Sequence, residues 1–123
     1  ISRFGLATPY LDDVQNSIIG TYQRSGFDCT VERHLGLHVN YSFAEVEADT
    51  IRAMVRQLAA EGVPAISTFC TNLRAAQLVE ELERETGIPI YDTVATVVWK
   101  ALQLAGVDTR ELKGWGSLFH DVR

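Results

Sequence analysis

The stretch AISTFCTNL, residues 65 to 73, has the pattern of a buried strand that ends on a cysteine. Small hydrogen-bonding residues follow Cys70 at once, and a helical pattern begins at about residue 73. A thiol that only filled core space would more naturally lie inside the strand. Position alone therefore leaves two interpretations of Cys70 open, a functional thiol and a small buried hydrophobe.

The same order of apolar run, helical pattern and glycine occurs four times along the chain. Each glycine follows the last helical turn, where a left-handed residue reverses the chain. Strands that alternate with helices form a parallel sheet, joined by right-handed crossovers and covered by helices on both faces. The four units are FGLAT (4–8) with a helix at 11–25, a strand within 27–39 with a helix ending at Gly62, PAISTFC (64–70) with a helix at 73–86, and IPIY (88–91) with a helix at 93–105.

The sequence therefore predicts a single α/β domain over residues 1–106, with a four-stranded parallel sheet flanked by helices on both faces. Residues 107–123 lack the pattern and are predicted to form a C-terminal tail. The first helix carries an apolar face formed by Leu11, Val14, Ile18 and Tyr22. The last helix is the most apolar, through Val94, Val97, Val98, Ala101 and Leu102. The third helix has a charged side that is predicted to be solvated, formed by Glu80, Glu81, Glu83 and Arg84.

Composition narrows the classes of protein to consider. The 123 residues are 46% hydrophobic and carry a net charge of -5, which disfavours a nucleic-acid partner because such proteins present clustered cations. No apolar run approaches the roughly 20 residues of a membrane span, and no signal peptide is recognisable, so a cytoplasmic protein without a membrane partner is predicted. The chain starts without Met inside a strand pattern, which predicts a truncated or processed piece of a larger protein.

Several familiar sites are excluded by spacing. Neither GxxxxGK[ST] nor GxGxxG follows the first strand, and no GxSxG is present. A phosphotyrosine-type cysteine loop needs an arginine six residues after the thiol, where this chain has Ala76. His34 and His38 fall in a predicted strand, where residues four apart are too distant to share one ion, so no metal site is predicted. Cys29 and Cys70 show no CxxC spacing, and Cys29 is interpreted as a free packing residue.

Candidate chemistry lies at the strand exits, since ligands of open parallel sheets bind outside the carboxyl ends of the strands. Tyr10, Asn40 and Cys70 follow the first, second and third strands, and Thr71 and Asn72 come directly after the cysteine. Cys70 is predicted to lie at the mouth of the following helix, whose free amides would favour the thiolate, which is the useful nucleophile or base. The amides of Thr71 and Asn72 could then hold a substrate carboxylate.

Each of these residues also has a purely structural interpretation. Tyr10 could be a surface aromatic over the first helix, and Asn40 could simply begin a turn. Thr71 and Asn72 are good helix caps in any protein. Ser42 with Glu45 fits a capping box before the second helix.

Together, ATPYLDDVQ (7–15), Asn40, the segment 67–106 that contains CTN, and GWGSLF (114–119) resemble the aspartate/glutamate racemase superfamily. The closest resemblance is to its maleate cis-trans isomerase and arylmalonate decarboxylase branch. The resemblance implies the C-terminal half of a two-domain racemase-like fold. It also implies a missing N-terminal half that faces this one across a cleft, and a homo-oligomer. Ser117 departs from the arginine that relatives commonly carry there.

The resemblance further implies a cofactor-independent, thiol-dependent isomerase of a small carboxylic acid, with maleate to fumarate isomerisation as the leading reaction. Cys70 would be the catalytic thiol, and Tyr10, Asn40, Thr71 and Asn72 would bind the substrate. Neither a metal nor an organic cofactor is needed for this chemistry. The enzymatic alternatives are an arylmalonate-type decarboxylase and an amino-acid or hydantoin racemase. The alternative from another class is a non-catalytic α/β binding module.

Overall fold

A computed structural model describes all 123 residues and contains one sheet of four parallel strands in the order β2-β1-β3-β4. The sheet and its flanking helices confirm the predicted α/β fold. In register, Leu6 of the central strand lies between Glu32 and Ser67. The strands are β1 (Gly5–Thr8), β2 (Glu32–His34), β3 (Ile66–Thr68) and β4 (Ile90–Asp92).

Six α-helices and two short 3-10 turns connect or follow the strands. The glycines predicted to end the helices, Gly26, Gly62, Gly87 and Gly106, all have positive φ. None of the helices has the length and apolar character that crossing a membrane requires. The helices are α1 (Asp12–Arg24), α2 (Asn40–Ala44), α3 (Ala48–Ala60), α4 (Val79–Thr86), α5 (Thr93–Leu104) and α6 (Leu118–Asp121), and the 3-10 turns are Ala76–Leu78 and Thr109–Glu111.

The main core lies between one face of the sheet and helices α3 and α4. Ile51, Val55 and Leu58, predicted to share one face of a helix, are all buried there. Full burial of such a side chain stabilises the fold by about 1.5–3 kcal/mol. From the sheet, Ala7, Ile66 and Ile90 belong to the same cluster.

The other face of the sheet is only partly covered. Helices α1 and α5 each bury a single residue, Gln15 and Ala95 respectively. Their predicted apolar faces are largely exposed. The uncovered strip forms a groove of about 490 Å³ with an aromatic lining that includes Phe4, Tyr22, Phe27, Phe69, Tyr91 and Trp99.

The second strand is shorter than the sequence predicts. Only Glu32–His34 pairs with β1, and residues 35–39 form a loop instead. The change follows Gly36, whose φ of 71° turns the chain out of the extended conformation. The amides of Gly36 and Leu37 then donate to the carbonyls of Tyr10 and Pro9 at 3.0 and 2.9 Å. The loop is therefore attached to the exit of β1, and His38 lies outside the strand.

The third helix begins later than predicted. Residues 71–75 form turns, and the α-helix starts only at Val79 after the 3-10 turn. Leu73 and Ala75 are both buried within the turns, and the amide of Ala75 donates to the carbonyl of Leu73 at 2.9 Å. Insertion of these two side chains into the core displaces the helix start.

The segment 107–123, predicted as a tail, packs on α5 through Leu118 and Phe119. Glu83, which the charge pattern placed on a solvated side, anchors this segment. Its carboxylate accepts bonds from the amide of Ile90 and from both the amide and hydroxyl of Ser117. The sequence prediction was therefore wrong for Glu83, while Glu80, Glu81 and Arg84 are exposed.

Candidate active site

The main chain of Tyr10 is fixed at the exit of β1. Its carbonyl and that of Pro9 accept the two loop amides described above. Its own amide donates to the Thr8 hydroxyl at 3.3 Å. The segment therefore has hydrogen bonds on both sides, and the direction in which the Tyr10 side chain leaves the sheet is defined.

The Tyr10 side chain lies between an aromatic ring and a thiol. Its ring packs edge-on against Phe43 of α2, with centroids 5.3 Å apart and an interplanar angle of 83°. Burial, followed by the interaction with the neighbouring Cys70, raises the pKa of the phenol to about 12. The phenol is therefore protonated at neutral pH and can donate a hydrogen bond.

Cys70 is a free thiol that lies two residues after the end of β3. Only 5% of the residue is exposed, and it belongs to the main core cluster, against which Tyr10 packs. The prediction that Cys70 sits at the mouth of an α-helix was wrong. Because α4 begins at Val79, its dipole does not act directly on this sulfur.

Thr71 and Asn72 lie in the turn after Cys70, and both are exposed. They were predicted as possible helix caps, but no helix begins there. No side-chain hydrogen bond within the chain engages either residue, and none connects them to Tyr10 or Cys70. Their polar groups are thus available at the carboxyl edge of the sheet.

Asn40 is the first residue of α2 and is exposed. Its side chain makes no hydrogen bond within the chain, and no bond links it to Tyr10 or Cys70. The predicted capping box of Ser42 and Glu45 was wrong, because α2 starts two residues before Ser42. The Ser42 hydroxyl donates back to the carbonyl of Val39 at 2.6 Å. The structure thus brings Tyr10 and Cys70 together, while no side-chain hydrogen bond joins Asn40, Thr71 or Asn72 to that pair.

Asp92 at the end of β4 is fully buried and has a structural explanation. Its carboxylate accepts from the Thr68 hydroxyl at 2.9 Å and from the amides of Val94 and Ala95 at the start of α5. Burial raises its pKa, and these hydrogen bonds oppose the rise. The residue caps α5 and fixes the adjacent ends of β3 and β4.

Comparison with known proteins gives a consistent result. The family model for arylmalonate decarboxylase matches residues 1–119. The chain belongs to the arylmalonate decarboxylase family. It is 29% identical over 123 residues to arylmalonate decarboxylase of Bordetella bronchiseptica, covering 98% of this chain and 51% of that protein. It is 26% identical over 102 residues to maleate isomerase of Nocardia farcinica (strain IFM 10152), covering 82% of this chain and 41% of that protein.

A solved structure has the same fold. It is a Nocardia farcinica maleate cis-trans isomerase, a cysteine-to-serine variant with a covalently bound succinylcysteine intermediate. The TM-score is 0.90 at 23% identity, over 99% of this chain and 50% of that one. The chain therefore spans about half the length of the relatives that it matches.

The sequence analysis missed a series of hydrogen-bonded polar side chains behind residues 8–10. Gln15 bonds to both Thr8 and Glu32, and Glu32 bonds to His34. One signal was available, because Gln15 interrupts the stripe of Leu11 and Ile18 at helical spacing. A polar residue on the inner side of a helix needs a partner.

Proposed function

We propose that Cys70 exchanges a proton with the carbon next to a substrate carboxylate, in a cofactor-independent isomerase or decarboxylase. One observation carries this proposal. A protonated phenol and a free thiol meet at the carboxyl edge of the sheet, in a chain of the arylmalonate decarboxylase family. This edge is where open parallel sheets bind their ligands.

Tyr10 acts in this proposal as a fixed hydrogen-bond donor. When the carbon next to a carboxylate gains electron density, negative charge develops on the carboxylate oxygens. A neutral phenol beside the reacting carbon stabilises that charge, and removal of one such donor typically costs a factor of about 10²–10³ in kcat. Its high pKa keeps the proton on the phenol throughout the pH range of ordinary assays.

Asn40, Thr71 and Asn72 are proposed to bind the substrate carboxylates. Their side chains carry amide and hydroxyl donors that the chain itself leaves unused, and all three follow strands whose ends meet at one edge. Donors of this kind bind a carboxylate without a buried cation, at the cost of a smaller electrostatic contribution. Their position is compatible with closure of the site by a second half.

The first candidate reaction is the isomerisation of maleate. A thiolate from the second half adds to one alkene carbon, and Cys70 donates its S–H proton to the neighbouring carbon, giving a succinyl thioether. The bond between these carbons then rotates. The Cys70 thiolate removes the proton from the same carbon, the carbon–sulfur bond breaks, and fumarate and the first thiolate are released.

The second candidate is the decarboxylation of an arylmalonate, which the match over residues 1–119 favours. The bond between the α-carbon and one carboxylate breaks and releases CO₂. Its electron pair remains on the α-carbon as an enediolate, to which Cys70 donates its S–H proton. The thiolate then takes a proton from water. This reaction needs a single thiol, so a second cysteine in the other half separates the two candidates.

The partner in this proposal is the second half of a two-half polypeptide. The relatives are about twice as long as this chain, and the isomerase candidate requires a second thiol that this chain does not place beside Cys70. The apolar groove between α1 and α5 gives that half a surface to pack on. Small carboxylates would then bind between the halves, shielded from water.

The direct test uses the polypeptide that carries this chain together with its second half. Loss of maleate absorbance measures isomerisation, and CO₂ release from phenylmalonate measures decarboxylation. We expect Cys70→Ala to lower the rate of whichever of the two reactions is observed by about 10²-fold or more. Cys29→Ala is the matched control, since Cys29 is buried elsewhere and burial raises the pKa of its thiol to about 11. Unchanged turnover in Cys70→Ala would end the proposal.

A further inference from the structure

We propose that Gln15 is a positioning residue that sets Tyr10 against Cys70, and that His34 locks Gln15 in place from the surface. This inference rests on the proposed roles of Tyr10 and Cys70. It concerns residues that lie outside the candidate site but are connected to it by an unbroken series of hydrogen bonds.

Gln15 is 1% exposed and is the single buried residue of α1. Its amide oxygen accepts from the Thr8 hydroxyl at 2.5 Å, and its amide nitrogen donates to Glu32 at 2.9 Å. A buried amide is costly unless it is hydrogen-bonded, and a leucine would fill the space without that cost. The amide is therefore explained by what it holds and not by packing.

The direction of the hydrogen bonds is fixed from the Glu32 end. An ionised carboxylate only accepts, so the nitrogen of the Gln15 amide faces Glu32 and its oxygen faces Thr8. The Thr8 hydroxyl must then donate to Gln15, which turns a lone pair towards the amide of Tyr10. If the Gln15 amide were lost, the Thr8 hydroxyl could rotate and the Tyr10 amide would lose a fixed acceptor.

His34 closes the outer end of the series. One ring nitrogen lies 2.7 Å from the same Glu32 oxygen that binds Gln15, and the other lies 2.6 Å from Asp12 at the start of α1. The charged groups that face His34 are Asp12 from α1 and Glu32 from its own strand. Hydrogen bonds to these two carboxylates, led by Asp12, raise the pKa of His34. A protonated ring bonds both carboxylates and thus joins α1 to β2.

The arrangement has a specific consequence for Tyr10. Its segment is held on one side by the loop amides and on the other by Thr8, which Gln15 orients. Without Gln15, we expect the phenol to move away from Cys70 towards solvent. Both its pKa and its contribution to the reaction should then fall.

The test compares Gln15→Leu with Gln23→Leu, the same change at an exposed position of the same helix. Alkaline titration by tyrosine absorbance, with Tyr10→Phe to identify the Tyr10 signal, should show the pKa of Tyr10 falling from about 12 towards 10 in Gln15→Leu only. This measurement needs no substrate. It therefore tests the positioning role even where the proposed reaction fails.

Kinetics supply the second measurement. We expect Gln15→Leu to lower kcat about tenfold in the parent protein, and to have no further effect in the Tyr10→Phe background. His34→Gln, a substitution nearer the surface, should produce a smaller loss of the same kind and covers the case in which Gln15→Leu does not fold. An unchanged Tyr10 titration, or a loss of kcat that persists fully in Tyr10→Phe, would overturn the proposal.

Discussion

At Tyr10, the ring and the hydroxyl group have separate tasks. The ring packs against Phe43, whereas the hydroxyl faces Cys70. We expect Tyr10→Phe to lower kcat by about 10²-fold, because the proposed donor to the developing charge is lost. The free energy of unfolding should change by less than about 1 kcal/mol, since the packed ring remains.

Steady-state kinetics and urea unfolding of the same preparation check this prediction. Tyr41→Phe is the control, because Tyr41 is exposed and lies outside the pair. A Tyr10→Phe protein with full turnover would show that the phenol contributes nothing to the reaction.

His34 gives the fold a dependence on pH whose sign follows from its neighbours. Hydrogen bonds to Asp12 and Glu32 raise its pKa above the ordinary value of 6.5. The stabilisation is fully present below 6.5 and is lost as the pH rises through the folded-state pKa. We expect a loss of about 1 kcal/mol, reduced by solvent screening at this partly exposed site.

Urea unfolding at a series of pH values between about 5 and 9 measures this loss. His34→Gln cannot be protonated, so its unfolding curve should lack this contribution. The same pH dependence in both proteins would assign the effect to another group.

The sequence correctly placed Tyr10 after β1 and Cys70 after β3, but it misjudged what surrounds them. The ends of the strands can be predicted, because the spacing of apolar residues and the glycines that follow helices are local signals. The start of α4 could not be predicted, because burial of Leu73 and Ala75 against other elements decides it. The helix-mouth explanation for Cys70 therefore fails, while its position beside Tyr10 depends on tertiary contacts.

Among the elements, the C-terminal segment depends on one backbone position. Gly116 has a φ of 94°, and an added Cβ would lie 2.5 Å from a methyl group of Val79 and 3.0 Å from Glu83. Gly116→Ala should therefore combine left-handed backbone strain with a clash against α4. Together they should lower the free energy of unfolding by about 2–4 kcal/mol.

Gly106→Ala is the matched control for this prediction. Gly106 has a φ of 74°, but nothing lies within 4 Å of an added Cβ. Gly106→Ala should therefore lower the free energy of unfolding only through left-handed backbone strain, by about 1 kcal/mol. Equal losses in thermal or urea unfolding would show that the clash with α4 is relieved without cost.

The apolar stripes of helices α3 and α1 were predicted in the same way but differ in burial. The apolar stripe of α3 was predicted and is buried, because this helix packs fully on the sheet. The stripe of α1 follows the same periodicity, yet Leu11 and Val14 are exposed. Periodicity reveals which side of a helix is apolar, but what covers that side depends on the rest of the molecule.

At the scale of the whole molecule, the groove between α1 and α5 leads to a further prediction. Thr96 lies in this groove, whereas Gln77 is exposed on another part of the surface. In the proposed two-half polypeptide, Thr96→Arg should lower the free energy of unfolding by more than about 2 kcal/mol, because a charge would be buried against the second half.

Gln77→Arg should change the free energy of unfolding by less than about 0.5 kcal/mol. Urea unfolding of the two variants makes the comparison, and light scattering of the parent protein tests the predicted homo-oligomer. Equal stability of both variants would place the second half elsewhere.

The order of the strands also determines how copies of the protein can associate. The outermost strands, β2 and β4, have three residues each, and β2 consists of Glu32, Arg33 and His34. Both outer strands are short and β2 is also charged, so they offer few free amides and carbonyls to a neighbouring chain. The sheet is thereby protected against extension into a shared, intermolecular ladder, which leaves the helical surfaces for contacts between molecules.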